Sequence, residues 1–138
     1  MNARSAGYSG TPLPQKLGLK GGMRFVALHA PPKLDALLAG APALERPARD
    51  GSFDCALVFA TTERVLSTAF TKLGPRLVDA GMVWIAWPKK TSGVATELTE
   101  DVVRRIGLAA GLVDVKVCAI DATWSGLKFV RRLRDRRG

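Results

Sequence analysis

Three short apolar runs, each fenced by glycine, proline or polar residues, constrain this chain more than any other feature. They are 23–29 (MRFVALH), 54–61 (DCALVFAT) and 82–87 (MVWIAW). Runs of this length suit strands rather than helices. Apolar side chains on both faces suit a parallel sheet covered on both sides. Helical periodicity lies between the second and third runs. Thr62 is an N-cap residue, Glu63 sits in the first turn, and Val65, Leu66, Ala69, Phe70 and Leu73 recur at the 3.6-residue spacing until Gly74-Pro75. A second helix is predicted after Thr99, with Glu100 and Asp101 in its first turn. Its apolar face is Val102, Val103, Ile106, Ala109 and Ala110, and Gly111 stops it.

The remaining segments are weaker. Segment 14–17 fits one helical turn, 34–39 a short helix, and 43–46 a brief strand; 47–53 and 89–97 are loops. Segments 113–121 and 125–132 alternate more clearly and read as strands nearer the sheet edge. The turn Ala122-Thr123-Trp124 leaves no room for a crossover helix, so these two form an antiparallel hairpin. Strands separated by helices imply right-handed crossovers. The expected architecture is α/β: a small, Rossmann-like, mostly parallel sheet ending in an antiparallel hairpin.

A chain of 138 residues accommodates one domain. The organisation expected is a loose arm over 1–13, a single Rossmann-like domain over 14–132 and a basic tail over 133–138. No run is long and apolar enough to cross a bilayer, and the first residues lack the apolar core of a secretory signal. Cys55 and Cys118 each lie inside an apolar run, outside any CxxC or Cys/His cluster, and are expected to be buried thiols. A cytoplasmic setting is the expectation that follows. Net charge is +9, of which the last eight residues, with five arginines and one aspartate, hold +4. Such a tail attracts nucleic acid, acidic proteins and anionic surfaces alike; the competing reading is a solvated terminus that aids solubility.

A parallel β-α-β-α-β series ending in an antiparallel hairpin resembles the C-terminal half of class I S-adenosylmethionine-dependent methyltransferases, and 54–132 is similar to that half in order and length. The front half departs from the pattern. Those enzymes place a Gly-x-Gly-type loop directly after the first strand, where the backbone approaches the cofactor. Here that position reads His29-Ala30-Pro31-Pro32-Lys33, and prolines remove amide donors. An acidic residue usually ends the second strand there and holds the ribose; Glu45 is the one candidate. Only 23 residues separate Ala30 from Asp54. The resemblance therefore implies a truncated version of the fold without the usual cofactor cradle, and no cofactor is assigned from the sequence.

The chain also resembles a family of short bacterial proteins classed as a domain of unknown function. The residues that carry this are Gln15-Lys16-Leu17-Gly18-Leu19-Lys20, Val83-Trp84-Ile85-Ala86-Trp87-Pro88-Lys89, and Asp121-Ala122-Thr123-Trp124-Ser125-Gly126-Leu127-Lys128-Phe129-Val130. The match runs over most of the chain and implies no activity.

In open α/β sheets, ligands bind beyond the carboxyl ends of the parallel strands. That edge should hold His29, Thr62, Lys89, Lys90, Ser92, Thr123, Trp124 and Ser125. Lysines beside a helix N-terminus suit a phosphate or carboxylate, and Trp124 offers a stacking face. The competing reading makes Lys89, Lys90 and Ser92 ordinary residues of an exposed loop. His29, the one histidine, fits a general base or a hydrogen-bonded strand end. Trp84 belongs to the core, Trp87 to core or pocket wall, and Asp54 and Asp121 to turn caps. No catalytic residue and no metal ligand set is assigned. Three readings follow. The first is a non-catalytic module binding a small anionic or nucleotide-like ligand or a protein partner. The second is a divergent methyltransferase-like enzyme. The third is nucleic-acid binding through the basic tail.

Overall fold

The computed structural model describes residues 10–136. Its elements in chain order are α1 (Leu13–Leu17), β1 (Phe25–Leu28), α2 (Leu34–Leu37), β2 (Phe53–Phe59), α3 (Glu63–Leu73), β3 (Leu77–Pro88), α4 (Glu100–Ala109), β4 (Leu112–Ala119) and β5 (Trp124–Arg131). They build one five-stranded sheet in the order β1-β2-β3-β5-β4. β1, β2 and β3 are parallel, and β5 runs antiparallel to both β3 and β4. The expected α/β sheet with a terminal hairpin is therefore what forms.

The apolar runs divide by alternation. Ala56, Val58, Val83, Ile85, Trp87, Leu127 and Phe129 face one side, where Leu66, Phe70 and Leu73 of α3 and Val103 and Ile106 of α4 cover them. Cys55, Leu57, Phe59, Met82, Trp84 and Ala86 face the other, under Leu13 and Leu17 of α1 and the half-buried Leu34, Leu37 and Leu38 around α2. Each large side chain so buried contributes about 1.5–3 kcal/mol. Trp84 is wholly buried, and its indole Nε1–H donates to the Leu17 carbonyl at 3.0 Å, which fixes α1 on the sheet. Leu13 thus belongs to the packed domain rather than to a loose arm, while 1–9 lie outside the described residues.

Several expectations need correction. The first run is not buried on both faces. β1 is four residues long and half-buried throughout, because it is an edge strand with β2 as its one neighbour. The brief strand at 43–46 reduces to a single bridge, Arg24 with Glu45. β3 begins at Leu77 rather than Met82. Its added segment carries an irregularity in which Phe53 pairs with Leu77 but Cys55 pairs with Met82. Gly81 permits this fold-back: a Cβ there would lie 2.6 Å from Leu77 Cδ1 and 3.0 Å from the Asp54 carbonyl. At the end of α4, Ala109 and the capping Ala110 are exposed, and the position buried beside Val103 and Ile106 is Gly107, packed against the Phe129 ring. β5 is not near the edge; it lies between β3 and β4, and its Gly126, Leu127 and Phe129 are buried. Cys118 is only half-buried because β4 forms the edge, whereas Cys55 is wholly enclosed. Burial pushes the Cys55 thiol up to about 12.

Candidate functional site

The carboxyl ends of the parallel strands carry the predicted residues; the structure places His29, Lys89, Lys90, Trp124 and Ser125 along two small pockets, whereas Thr62, Ser92 and Thr123 line neither. His29, Phe59, Ala60, Thr61, Val65 and Trp124 line one of about 270 Å³ beyond β1 and β2. Trp87, Pro88, Lys89, Lys90, Leu98, Thr99, Glu100 and Ser125 line most of another of about 320 Å³, between the end of β3 and the start of α4. The two adjoin along the last rungs of the β3–β5 ladder, where Pro88 pairs with Trp124 and Trp87 with Ser125. Successive strand residues face opposite sides. Trp124 accordingly packs with the α1 side of the sheet, and Ser125 lines the pocket on the α4 side.

The aromatic pocket is built by register. Phe59 ends β2, and the Trp124 ring stands edge-on to it with centroids 5.0 Å apart. His29 leaves β1 with φ +57, a left-handed conformation uncommon for a residue other than glycine, and its side chain is exposed. Pro31 and Pro32 follow. The segment after β1 then reaches the far side of the strand ends, where Lys33 Nζ lies 2.7 Å from Asp121 Oδ2.

Asp121 is 4% exposed. Its Oδ1 accepts the amides of Thr123 and Trp124, each at 2.8 Å, which shapes the turn that presents Trp124. Its Oδ2 is buried and accepts no well-aligned hydrogen bond; the Lys33 ammonium compensates it ionically. Burial works to raise this carboxyl. Lys33 and the two amides outweigh burial and hold it below the ordinary carboxylate range. Sequence reasoning placed Asp121 as a turn cap, which it is, but missed Lys33. No spacing relates two residues so far apart in the chain.

Thr62 and the loop residues have local work. Thr62 Oγ1 accepts from the Val65 amide and caps α3. The Glu63 amide, in the first turn of that helix, donates to Glu97 Oε1 at 2.9 Å. The anion at this helix N-terminus is therefore the protein's own carboxylate. Thr96 Oγ1 and the Glu97 amide both donate to the Thr61 carbonyl, folding the loop back over β2. Ser92 Oγ donates to the Lys89 carbonyl at 2.7 Å and accepts from Val94. The Lys89 amide donates to the Thr123 carbonyl at 2.8 Å, which ties the two loops at this end together. Lys90 is exposed, and Glu100 is the acidic neighbour of Lys89 and Lys90 in their pocket. Among the described residues no cluster of three or more His, Cys, Asp or Glu could hold a metal ion.

The donor set after β1 does not fit the usual S-adenosylmethionine cradle. Two of its five residues have no amide N–H, and Lys33 is engaged by Asp121.

Comparison with solved structures agrees with this architecture. The chain is similar to an S-adenosylmethionine-dependent methyltransferase from Aquifex aeolicus, with a TM-score of 0.60 and 12% identity over 83% of this chain and 85% of that one. It is also similar to the magnesium protoporphyrin IX methyltransferase of Synechocystis PCC 6803, solved with bound S-adenosylmethionine (TM-score 0.54, 14% identity, 86% and 74% covered). A ribosomal protein L11 methylase from Lactobacillus delbrueckii subsp. bulgaricus gives a TM-score of 0.55 at 12% identity, with 87% and 75% covered. The chain therefore has the Rossmann-like fold of class I methyltransferases. At such identities the likeness concerns the fold alone. No family model and no curated protein matches the sequence. The resemblance to the short bacterial family thus stands on the residues quoted for it. No helix among the described residues is long and apolar enough to cross a membrane.

Proposed function

We propose that this protein is a non-catalytic, cytoplasmic binding module that holds a small anionic or nucleotide-like ligand at the carboxyl end of its parallel strands. One observation carries the reading. Where a methyltransferase offers a glycine loop, this chain has a left-handed His29 and two prolines, held across the strand ends by Lys33 and Asp121. That arrangement supports a smaller site than a full cofactor cradle. The half-buried Trp124 and exposed His29 present a face for a flat ring. Lys89, Lys90 and Ser125 supply cations and a hydroxyl for an anionic group next to it.

A thermal-shift series with mononucleotides, S-adenosylmethionine and S-adenosylhomocysteine tests this. Ligand at about 100 times its dissociation constant adds about 2.7 kcal/mol of stability. Trp124→Ala and Lys89→Ala/Lys90→Ala should each remove the shift given by nucleotides. A nucleotide shift that survives both variants would refute the site, and silence across the panel would turn the search to a protein partner. The second reading, a divergent methyltransferase-like enzyme, is favoured by the fold of the structural neighbours. A shift confined to the adenosyl compounds, with methyl transfer to an acceptor, would establish it in place of the first.

A further inference from the structure

The larger part of the net positive charge of the described residues lies at the opposite end of the sheet. Segments 46–52, 72–77, 108–112 and 131–136 meet at the amino ends of the parallel strands, and side-chain contacts knit them together. Arg76 Nε donates to the Gly51 carbonyl at 2.8 Å. Arg131 donates to the Gly74 carbonyl at 2.8 Å and the Leu77 carbonyl at 2.6 Å. Arg132 donates to the Leu108 carbonyl, and Arg136 folds back onto the Arg131 carbonyl at 3.1 Å. The end of the chain is therefore laid against the domain as far as Arg136.

The result is one basic face. Arg46, Arg49 and Lys72 are exposed there beside the half-buried Arg76. Arg132, Arg134 and Arg136 extend it from the C-terminal side. Glu45, Asp50 and Asp135 are the carboxylates at this end outside the Arg24–Asp54 and Arg131–Asp79 pairs. At the carboxyl end, by contrast, Glu100 lines the same pocket as Lys89 and Lys90, and Lys33 is paired with Asp121.

We propose that this amino-end face docks the phosphate backbone of duplex nucleic acid. Guanidinium groups dominate it, and their fork geometry matches phosphate oxygens. No aromatic ring at this end is exposed among the described residues: Phe53 is buried, with the Arg76 guanidinium carbon 5.7 Å from its ring centroid. No aromatic platform there holds a run of unpaired bases, so the contact assigned is to the backbone and independent of sequence. Among the described residues the large exposed apolar side chains at this end are Leu133 and Leu108, too few to anchor the face in a lipid surface. The face shares no residue with the proposed ligand pockets, so either reading can fail alone.

Fluorescence anisotropy with a labelled duplex of about 20 base pairs and arbitrary sequence tests it. With about five phosphates neutralised, affinity should fall about 500-fold between about 50 and 200 mM salt. Arg46→Glu/Arg49→Glu should weaken binding by about tenfold or more. Arg64→Glu/Lys116→Glu makes the same change in net charge on other faces and should stay within about twofold of the parent. Melting curves check that both pairs remain folded. Equal loss in the two pairs would overturn the proposal, since net charge alone would then explain it. So would unchanged binding by Arg46→Glu/Arg49→Glu together with loss on ending the chain at Arg132, which would make the tail the contact. Tighter binding to phosphatidylcholine vesicles with about 30% phosphatidylserine than to duplex at the same salt would overturn it in favour of a membrane surface.

Discussion

Replacing Asp121 tests the link between a buried carboxylate and the presentation of Trp124. In Asp121→Ala two amides, on Thr123 and Trp124, lose an acceptor 2.8 Å away. Both residues are half-buried, so water replaces the acceptor only in part. A hydrogen bond to a charged acceptor is worth about 1.5–3 kcal/mol, and partial hydration brings each loss to the lower end of that range. The Lys33 side chain is 50% exposed, and its loss of a partner adds little. The sum is about 3 kcal/mol, or roughly 10 °C in melting temperature for a domain of this size. Asp121→Asn keeps an acceptor for both amides and loses only the charge, which should cost about 1 kcal/mol. Calorimetry reads both numbers. Trp84 is wholly buried and Trp87 nearly so, so iodide quenching of fluorescence reports chiefly on Trp124 and should increase in Asp121→Ala. Melting of Asp121→Ala within about 1 °C of the parent, with unchanged quenching, would refute the role given to this carboxylate.

Gly107→Ala should destabilise by about 2 kcal/mol, although alanine normally favours a helix interior by about 1 kcal/mol, because its Cβ would overlap Cε1 and Cζ of the buried Phe129 ring; a melting temperature above the parent's would contradict this. Trp84→Phe should cost about 2 kcal/mol through the lost bond to the Leu17 carbonyl and the space left behind, read as a lower urea midpoint with unchanged slope. Asp54, held by Arg24, and Asp121 both have depressed carboxyl values in the folded chain. Their contribution is full above the unfolded value of about 4 and is lost as pH falls through the folded values, so stability should drop in acid, and less steeply in Asp121→Asn. The Cys55 thiol should resist alkylating reagents at neutral pH in the folded protein and react on unfolding, as mass spectrometry would show.

The chain's local patterns determined its elements. Apolar runs mark β2 and the core of β3, Thr62 and Thr99 mark helix starts, and the short turn at 122–124 marks the hairpin, because each signal lies within a few neighbouring residues. The candidate edge was legible for the same reason: strand ends can be found without knowing strand order. What only the tertiary structure decided depends on residues far apart in the chain. Insertion of β5 between β3 and β4 buries Phe129 and makes Gly107 a packing residue. Leaving β1 at an edge makes its apolar run half-exposed. Glu97 reaches the amides of α3, Lys33 reaches Asp121, and Arg131 caps carbonyls at Gly74 and Leu77. Each of these contacts joins segments with no common period or motif, so their partners exist only once the sheet brings them together. The same holds for the division of His29 and Trp124 from Lys89 and Lys90 into adjoining pockets. Alternation along β5 turns consecutive residues to opposite faces, and which face each meets is settled by the helices that cover it.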